Sequence, residues 1–282
     1  MKNVVITVDS TADLSKGLIE KNDIRVSPLH VLLGDNEYRD GVDATPQDIF
    51  EYVKKTNILP KTSACAVEEY KSFFSRQLED AETVIHFNIS AECSSSNANA
   101  VEAAKDFDGR VLVVDTRQLS TGQGLLALKA CDLLAEGRNA EYIYNTVLSL
   151  TDKVQTSFVV DTVDYLYKGG RCTAAAAVVS KILKIHPSIF MADGKLAVRK
   201  KYMGNLKRCI GSYVDDLAVD YPDYDDTRVF ITHSHCSDDI VELIKEKVKE
   251  KFSFNDIEVT TAGCVVTSHC GQGTLGVLYI KK

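Results

Sequence analysis

The first half of the chain alternates strand-like apolar runs with helical segments, and this alternation narrows the fold more than any other feature. Strand-like runs cover positions 4–8, 24–33, 83–89 and 111–114. Between them, Thr45-Pro46 opens a helix running to about residue 56, with proline in the first turn where its missing N–H costs nothing. A second helix is expected after Thr62-Ser63, with Glu68 and Glu69 in its early turns. A third follows Ser94-Ser95-Ser96, and a fourth covers residues 123–136. Strands separated by helices pair in parallel, because a parallel neighbour needs a crossover long enough to hold a helix.

From about residue 155 the pattern changes. A strand is expected at 156–162, a short helix at 163–167, a break at Lys168-Gly169-Gly170-Arg171 and a further helix at 173–183. Pro187 stops that helix, and Asp193-Gly194 is a hairpin turn into 195–200. Helices at 205–219 and 237–251 and strands at 228–232, 257–261, 264–267 and 276–280 complete the reading. The fold class is therefore α/β in two domains. An N-terminal three-layer parallel-sheet domain spans residues 1–154, a C-terminal α/β domain with a mixed sheet spans 155–282, and a ligand cleft lies between them.

The formal net charge of −7 argues against nucleic acid, whose phosphate backbone demands an excess of lysine and arginine. No stretch approaches the roughly 20 apolar residues that span a bilayer. The opening Met1-Lys-Asn-Val-Val reads as a first strand rather than a signal peptide, so the expected location is the cytoplasm. Eight cysteines without a C-x-x-C pair fit reduced thiols.

Gly271-Gln-Gly273-Thr-Leu-Gly276 spells a dinucleotide fingerprint, but the six residues after Gly276 read as a strand, where the fingerprint requires a helix. His233 and His235 would share one face of a strand, as metal ligands can, yet no further Cys/His pair accompanies them, and no metal or cofactor is expected. Ser94 and His269 suggest nucleophile and base, but a G-x-S-x-G elbow is missing and no orienting aspartate stands out. Arg171 follows two glycines that let the backbone come close, so its guanidinium is placed either to hold an anion or to fix packing. The alanines of the 173–183 segment either leave room for an apolar ligand or simply favour helix. The Ser/Thr-rich loops Asp9-Ser10-Thr11, Thr62-Ser63, Ser90 with Ser94–Ser96, and Asp115-Thr116 are helix caps unless they converge.

Taken in order, these motifs resemble the DegV family of bacterial lipid-binding proteins. The resemblance rests on Val8-Asp9-Ser10-Thr11-Ala12-Asp13-Leu14, Lys61-Thr62-Ser63, the serines at 94–96, and Val114-Asp115-Thr116 with Gly122-Gln-Gly124. It continues through Tyr165-Leu-Tyr-Lys-Gly169-Gly170-Arg171 and Asp193-Gly194-Lys195 to His269-Cys-Gly271-Gln-Gly273. It implies one long-chain fatty acid held between two domains, with the carboxylate at Thr62, Ser94 and His269, supported by Arg171. Ser63, Ser95, Thr267 and Gly271 belong to the same implied ligand-binding set. It also implies a non-catalytic carrier that presents the acid to a separate kinase subunit resembling dihydroxyacetone kinase, for acyl-phosphate formation. The residues alone leave two alternatives: an enzyme using Ser94, His269 and Arg171 on an anionic substrate, or a carrier of another amphiphile.

The chain departs from the family pattern at Ala64-Cys65, where Gln-Pro is usual, at Ser95-Ser96-Asn97, at Gln272, and at Glu92, where glycine is usual. An ionised Glu92 within about 4–6 Å would oppose a second carboxylate, so its side chain must face solvent or the head group must differ. Arg199-Lys200-Lys201 with Lys207-Arg208 is the one local concentration of positive charge, read either as a docking patch for the kinase or as a solvated strand end.

Overall fold

The computed structural model describes residues 2–172 and 184–282. The expected helix at 173–183 lies outside the described residues.

A four-stranded parallel sheet is built from β1 (Lys2–Asp9), β2 (Arg25–Ser27), β6 (Ala81–Asn88) and β7 (Val111–Asp115), in the order β2-β1-β6-β7. Its strands are apolar on both faces because both are covered. Val4, Ile6 and Val8 pack with α5 (Thr121–Ala135) and α6 (Ala140–Leu150), while Val5 and Val84 pack with α3 (Val67–Leu78) and α4 (Ser96–Ala104). The result is the expected three-layer arrangement. Ahead of them lie a short α1 (Lys16–Lys21) and α2 (Pro46–Thr56), where Asp48 accepts the Thr45 N–H at 2.7 Å and so closes the helix start.

The apolar run at 24–33 is divided by Pro28, which cannot donate to a ladder. Its second piece, β3 (His30–Leu33), joins β4 (Asn36–Arg39) and β5 (Lys61–Ser63) in a small antiparallel sheet, order β4-β3-β5.

The remaining strands form one mixed sheet: β8 (Val154–Gln155), β9 (Ser157–Val159), β10 (Ile185–Ala192), β11 (Lys195–Met203), β12 (Arg228–Ser234), β13 (Asp256–Thr261) and β14 (Thr274–Ile280). Only the β12–β13 pair is parallel. One face is covered by α8 (Leu206–Asp220) and α9 (Asp238–Lys251) through Tyr213, Val214, Ile244 and Val248. On the other, Phe230, Leu278 and Ile280 share a core with Leu125 and Leu126 of α5. Helix α5 is thus packed between the two sheets, which explains why its first eight residues are buried on every side.

One expectation fails outright. Residues 264–267, read as a strand from Cys-Val-Val-Thr, belong to the helix α10 (Cys264–Cys270). The backbone N–H groups at its start are taken by buried carboxylates: Gly263 N donates to Asp13 Oδ1 at 2.8 Å and Cys264 N to Asp40 Oδ1 at 2.7 Å. These long-range caps satisfy donors that a local propensity reading leaves out.

Candidate ligand site

The Ser/Thr loops sort themselves into structural and site groups. Asp9 is fully buried and accepts hydrogen bonds from Tyr70 (2.7 Å), Asn88 (3.0 Å) and the Ile89 N–H (3.1 Å), which ties β1 to β6. Asp115 accepts the Ala91 and Arg117 backbone N–H groups. Thr62-Ser63 and Ser94-Ser95, in contrast, face a common cavity of about 330 Å³, a size typical of small-molecule sites.

The cavity wall is mostly apolar, with Leu29, Ile89, Phe158, Leu166, Leu196 and Leu278 among the residues that form it. Arg171, His269 and Cys93 also line it. Ser63, Ser95 and Arg171 are exposed, and the Arg171 guanidinium is held by donation from Nη1 to the Gly169 carbonyl at 2.8 Å. The charge and two of the hydroxyls therefore reach solvent, while Ser120, Thr232, Ser234 and Thr274 add buried hydroxyls to a wall that is otherwise mainly apolar.

Thr62 is the middle residue of β5 and sits opposite Val31. Helix α10 brings His269 to it, with Thr62 Oγ1 and His269 Nε2 2.9 Å apart. The imidazole Nδ1 makes no hydrogen bond among the described residues and lies against Gly169, where an added Cβ would sit 2.5 Å away. Burial, with Arg171 nearby, pushes the His269 pKa down to about 4, so the ring is neutral near pH 7. Ser94 Oγ lies 3.0 Å from Ser96 Oγ and accepts the Ser96 N–H at 3.2 Å.

Two members of the expected set lie off the cavity wall. Thr267 is buried within α10, 3.2 Å from Ser234 Oγ and donating to the Ala262 carbonyl. Gly271 has φ +74°, and a Cβ there would meet the Tyr165 ring at 2.7 Å, so its position is one of close packing. The glycine loop that resembled a nucleotide fingerprint leads directly into β14.

Glu92 does not contribute to the wall. Its carboxylate lies 3.3 Å from Lys195 Nζ, beside the hairpin tip at Asp193-Gly194. The same tip is tied to the serine loop by Ser90 Oγ, which donates to the Gly194 carbonyl at 2.7 Å. His233 and His235 diverge: His233 lines the cavity and accepts the Cys236 N–H, whereas His235 packs on the Phe50 ring at 5.2 Å. The basic stretch is largely answered by acids, Arg199 by Asp220, Lys200 by Asp216 and Lys207 by Asp239, each at 2.6 Å.

Residues that sequence reasoning missed include Ser120, Thr232 and the apolar wall. Leu119, Phe158, Leu166 and Leu278 read as ordinary core residues, and only the tertiary arrangement reveals that their side chains border a space.

Comparison with known proteins agrees with this architecture. A family model described as "Uncharacterised protein, DegV family" matches residues 3–282. A DegV domain-containing protein of Clostridium acetobutylicum is 30% identical over 284 residues, covering 100% of both chains. Among solved structures, a DegV family protein from Thermus thermophilus, described by its fatty acid binding, superposes with a TM-score of 0.89 at 29% identity, over 99% of this chain and 100% of that one. A DegV lipid-binding protein from Thermotoga maritima gives a TM-score of 0.87 at 30% identity, with 100% of each chain covered.

Proposed function

The chain belongs to the DegV family, and on that premise we propose that it holds one long-chain fatty acid in the cavity and presents the carboxylate at the polar mouth to a separate kinase subunit, of the dihydroxyacetone-kinase-like kind, for acyl-phosphate formation. The observation that carries this reading is the convergence of Thr62, Ser94, His269 and exposed Arg171, from four distant parts of the chain, on a cavity whose remaining wall is mainly apolar. A carboxylate is costly to desolvate unless donors meet it, whereas an acyl chain gains from leaving water. In the tautomer that carries the proton on Nε2, neutral His269 donates to Thr62 Oγ1, which frees the threonine hydroxyl to donate to the carboxylate, and Arg171 supplies the positive charge.

The reading includes a division into residues 1–154 and 155–282. It is supported by the parallel sheet drawing all its strands from the first segment and the mixed sheet drawing its own from the second, save for Val154, the first residue of β8. The carrier works in the cytoplasm; no helix of the described residues is long and apolar enough to cross a membrane.

Two observations count against the other readings. His269 Nε2 engages Thr62 and Ser94 engages Ser96, so the Ser94–His269 pair that the enzyme reading requires is not formed. The Glu92 carboxylate is turned to Lys195, which removes the electrostatic reason to expect a different head group. Mass spectrometry of the ligand extracted from protein made in bacteria tests the proposal. A fatty acid in about one equivalent is the expected result, and a cavity that takes up none from fatty-acid-saturated solution overturns it. Turnover of an anionic substrate by the isolated chain, abolished in Ser94→Ala, supports the enzyme instead.

A further inference from the structure

A second constellation lies beyond the cavity, where His30, Cys65 and Glu69 bring one donor atom each within 4.8 Å of one another. They come from three adjoining pieces of backbone. His30 opens β3, Cys65 follows β5, and Glu69 sits in the first turn of α3. The β3–β5 register, with His30 opposite Ser63, puts the imidazole beside the residues that leave β5.

We propose that His30, Cys65 and Glu69 form a binding site for a borderline-soft divalent cation of the zinc type, with water in the fourth position. Thiolate, imidazole and carboxylate together form the donor set that zinc accepts, and three protein ligands with one open position is a familiar stoichiometry for it. The His30 ring is already oriented for the task. Nε2 lies 3.0 Å from Glu69 Oε1, close to the edge of a zinc tetrahedron with bonds of about 2.0–2.2 Å. On the ring's far side Nδ1 lies 3.3 Å from Glu37 Oε1. With the metal on Nε2, that carboxylate accepts the Nδ1 proton and holds the ring in place, an arrangement common behind ligating histidines.

Glu69 is fixed as well, because its other oxygen accepts the Ala66 N–H at 2.7 Å. Cys65 Sγ now lies 3.0 Å from the Pro28 carbonyl. On metal binding the thiol proton leaves for solvent, that hydrogen bond is exchanged for the metal–sulfur bond, and the sulfur closes by about 1 Å towards the other two donors.

The location gives the site a consequence for ligand binding. Thr62, Ser63 and Ala64 of the cavity wall immediately precede Cys65, and the Cys65 carbonyl accepts a hydrogen bond from Asn99 of α4 at 2.7 Å. A metal at Cys65 fastens the strand end that carries Thr62 to α3 and β3 at once.

The full chain, stripped with a chelator, is titrated with zinc alone and, in parallel, with cobalt(II), whose absorption reports tetrahedral geometry and thiolate ligation. About one equivalent of zinc, and a cobalt spectrum with a sulfur charge-transfer band, are expected. Cys65→Ser removes that band and weakens zinc binding at least about tenfold, and Glu37→Gln weakens it by roughly tenfold through loss of ring orientation. The proposal is overturned if the wild-type chain takes up no zinc, or if Cys65→Ser, with unchanged circular dichroism, binds it as tightly as wild type. Because the readout is zinc alone, the result stands apart from whether the cavity holds a fatty acid.

Discussion

Glu92 illustrates what a side chain's direction decides at the scale of single residues. By position it stands in the serine loop beside a proposed anion site, yet its charge is neutralised by Lys195. Glu92→Gln should therefore change fatty acid affinity by less than about twofold, as expected for an exposed ion pair, and isothermal titration checks it. Thr62→Ala removes a hydroxyl donor to a charged group and should weaken binding by roughly tenfold or more, corresponding to about 1.5–3 kcal/mol. Asp13 presents a different case. Burial, opposed in part by hydrogen bonds from Ser120 (2.6 Å) and the Gly263 N–H, pushes its pKa from 3.8 up to about 8. Since the folded pKa lies above the unfolded one, its contribution to stability is fully present below pH 3.8 and is lost as pH rises towards 8. Asp13→Asn should accordingly raise the melting temperature at pH 8 by several degrees relative to its effect at pH 4, as read by differential scanning fluorimetry. An equal effect at both pH values would contradict the assignment.

Elements differ in how much of themselves they reveal. The helices α2, α8 and α9 were legible because each carries local start signals: Thr45-Pro46, Asn205 accepting the Lys207 N–H, and Ser237 before two aspartates. Helix α10 was not, since its cap is provided by Asp13 and Asp40, more than two hundred positions away. The strands β4 and β5 were missed for a related reason: three- and four-residue edges around β3 have too few side chains to show a period. Gly271, at the end of α10, needs both its left-handed backbone and its missing Cβ. Gly271→Ala should cost about 1–3 kcal/mol in chemical denaturation. It should also weaken fatty acid binding, because the change presses on Tyr165 in α7 (Asp164–Lys168), the helix preceding Arg171.

At the scale of the whole molecule, ligand binding and stability are linked. A fatty acid at 100 times its Kd should stabilise the chain by about 2.7 kcal/mol. For a chain of this size that raises the melting temperature by roughly 5–10 °C, whereas short-chain acids at the same concentration, which bury less apolar surface and so bind more weakly, should shift it less. Parallel scans with acids of increasing chain length check this, and a shift independent of length would contradict an apolar cavity. The sequence by itself determined the α/β class, the parallel and mixed halves, and the motif residues Thr62, Ser94, Arg171 and His269, because periodicity, caps and glycines are local properties of the chain. Only the tertiary structure decided that Thr62 and His269 lie 2.9 Å apart, that Thr267 and Gly271 lie off the cavity wall, and that Leu119, Phe158 and Leu278 border a space. It also decided that Glu92 turns to Lys195 and that His30, Cys65 and Glu69 assemble. The physical reason is common to all of these: each depends on which surfaces long-range packing brings together, and a one-dimensional pattern holds no record of the empty space between them.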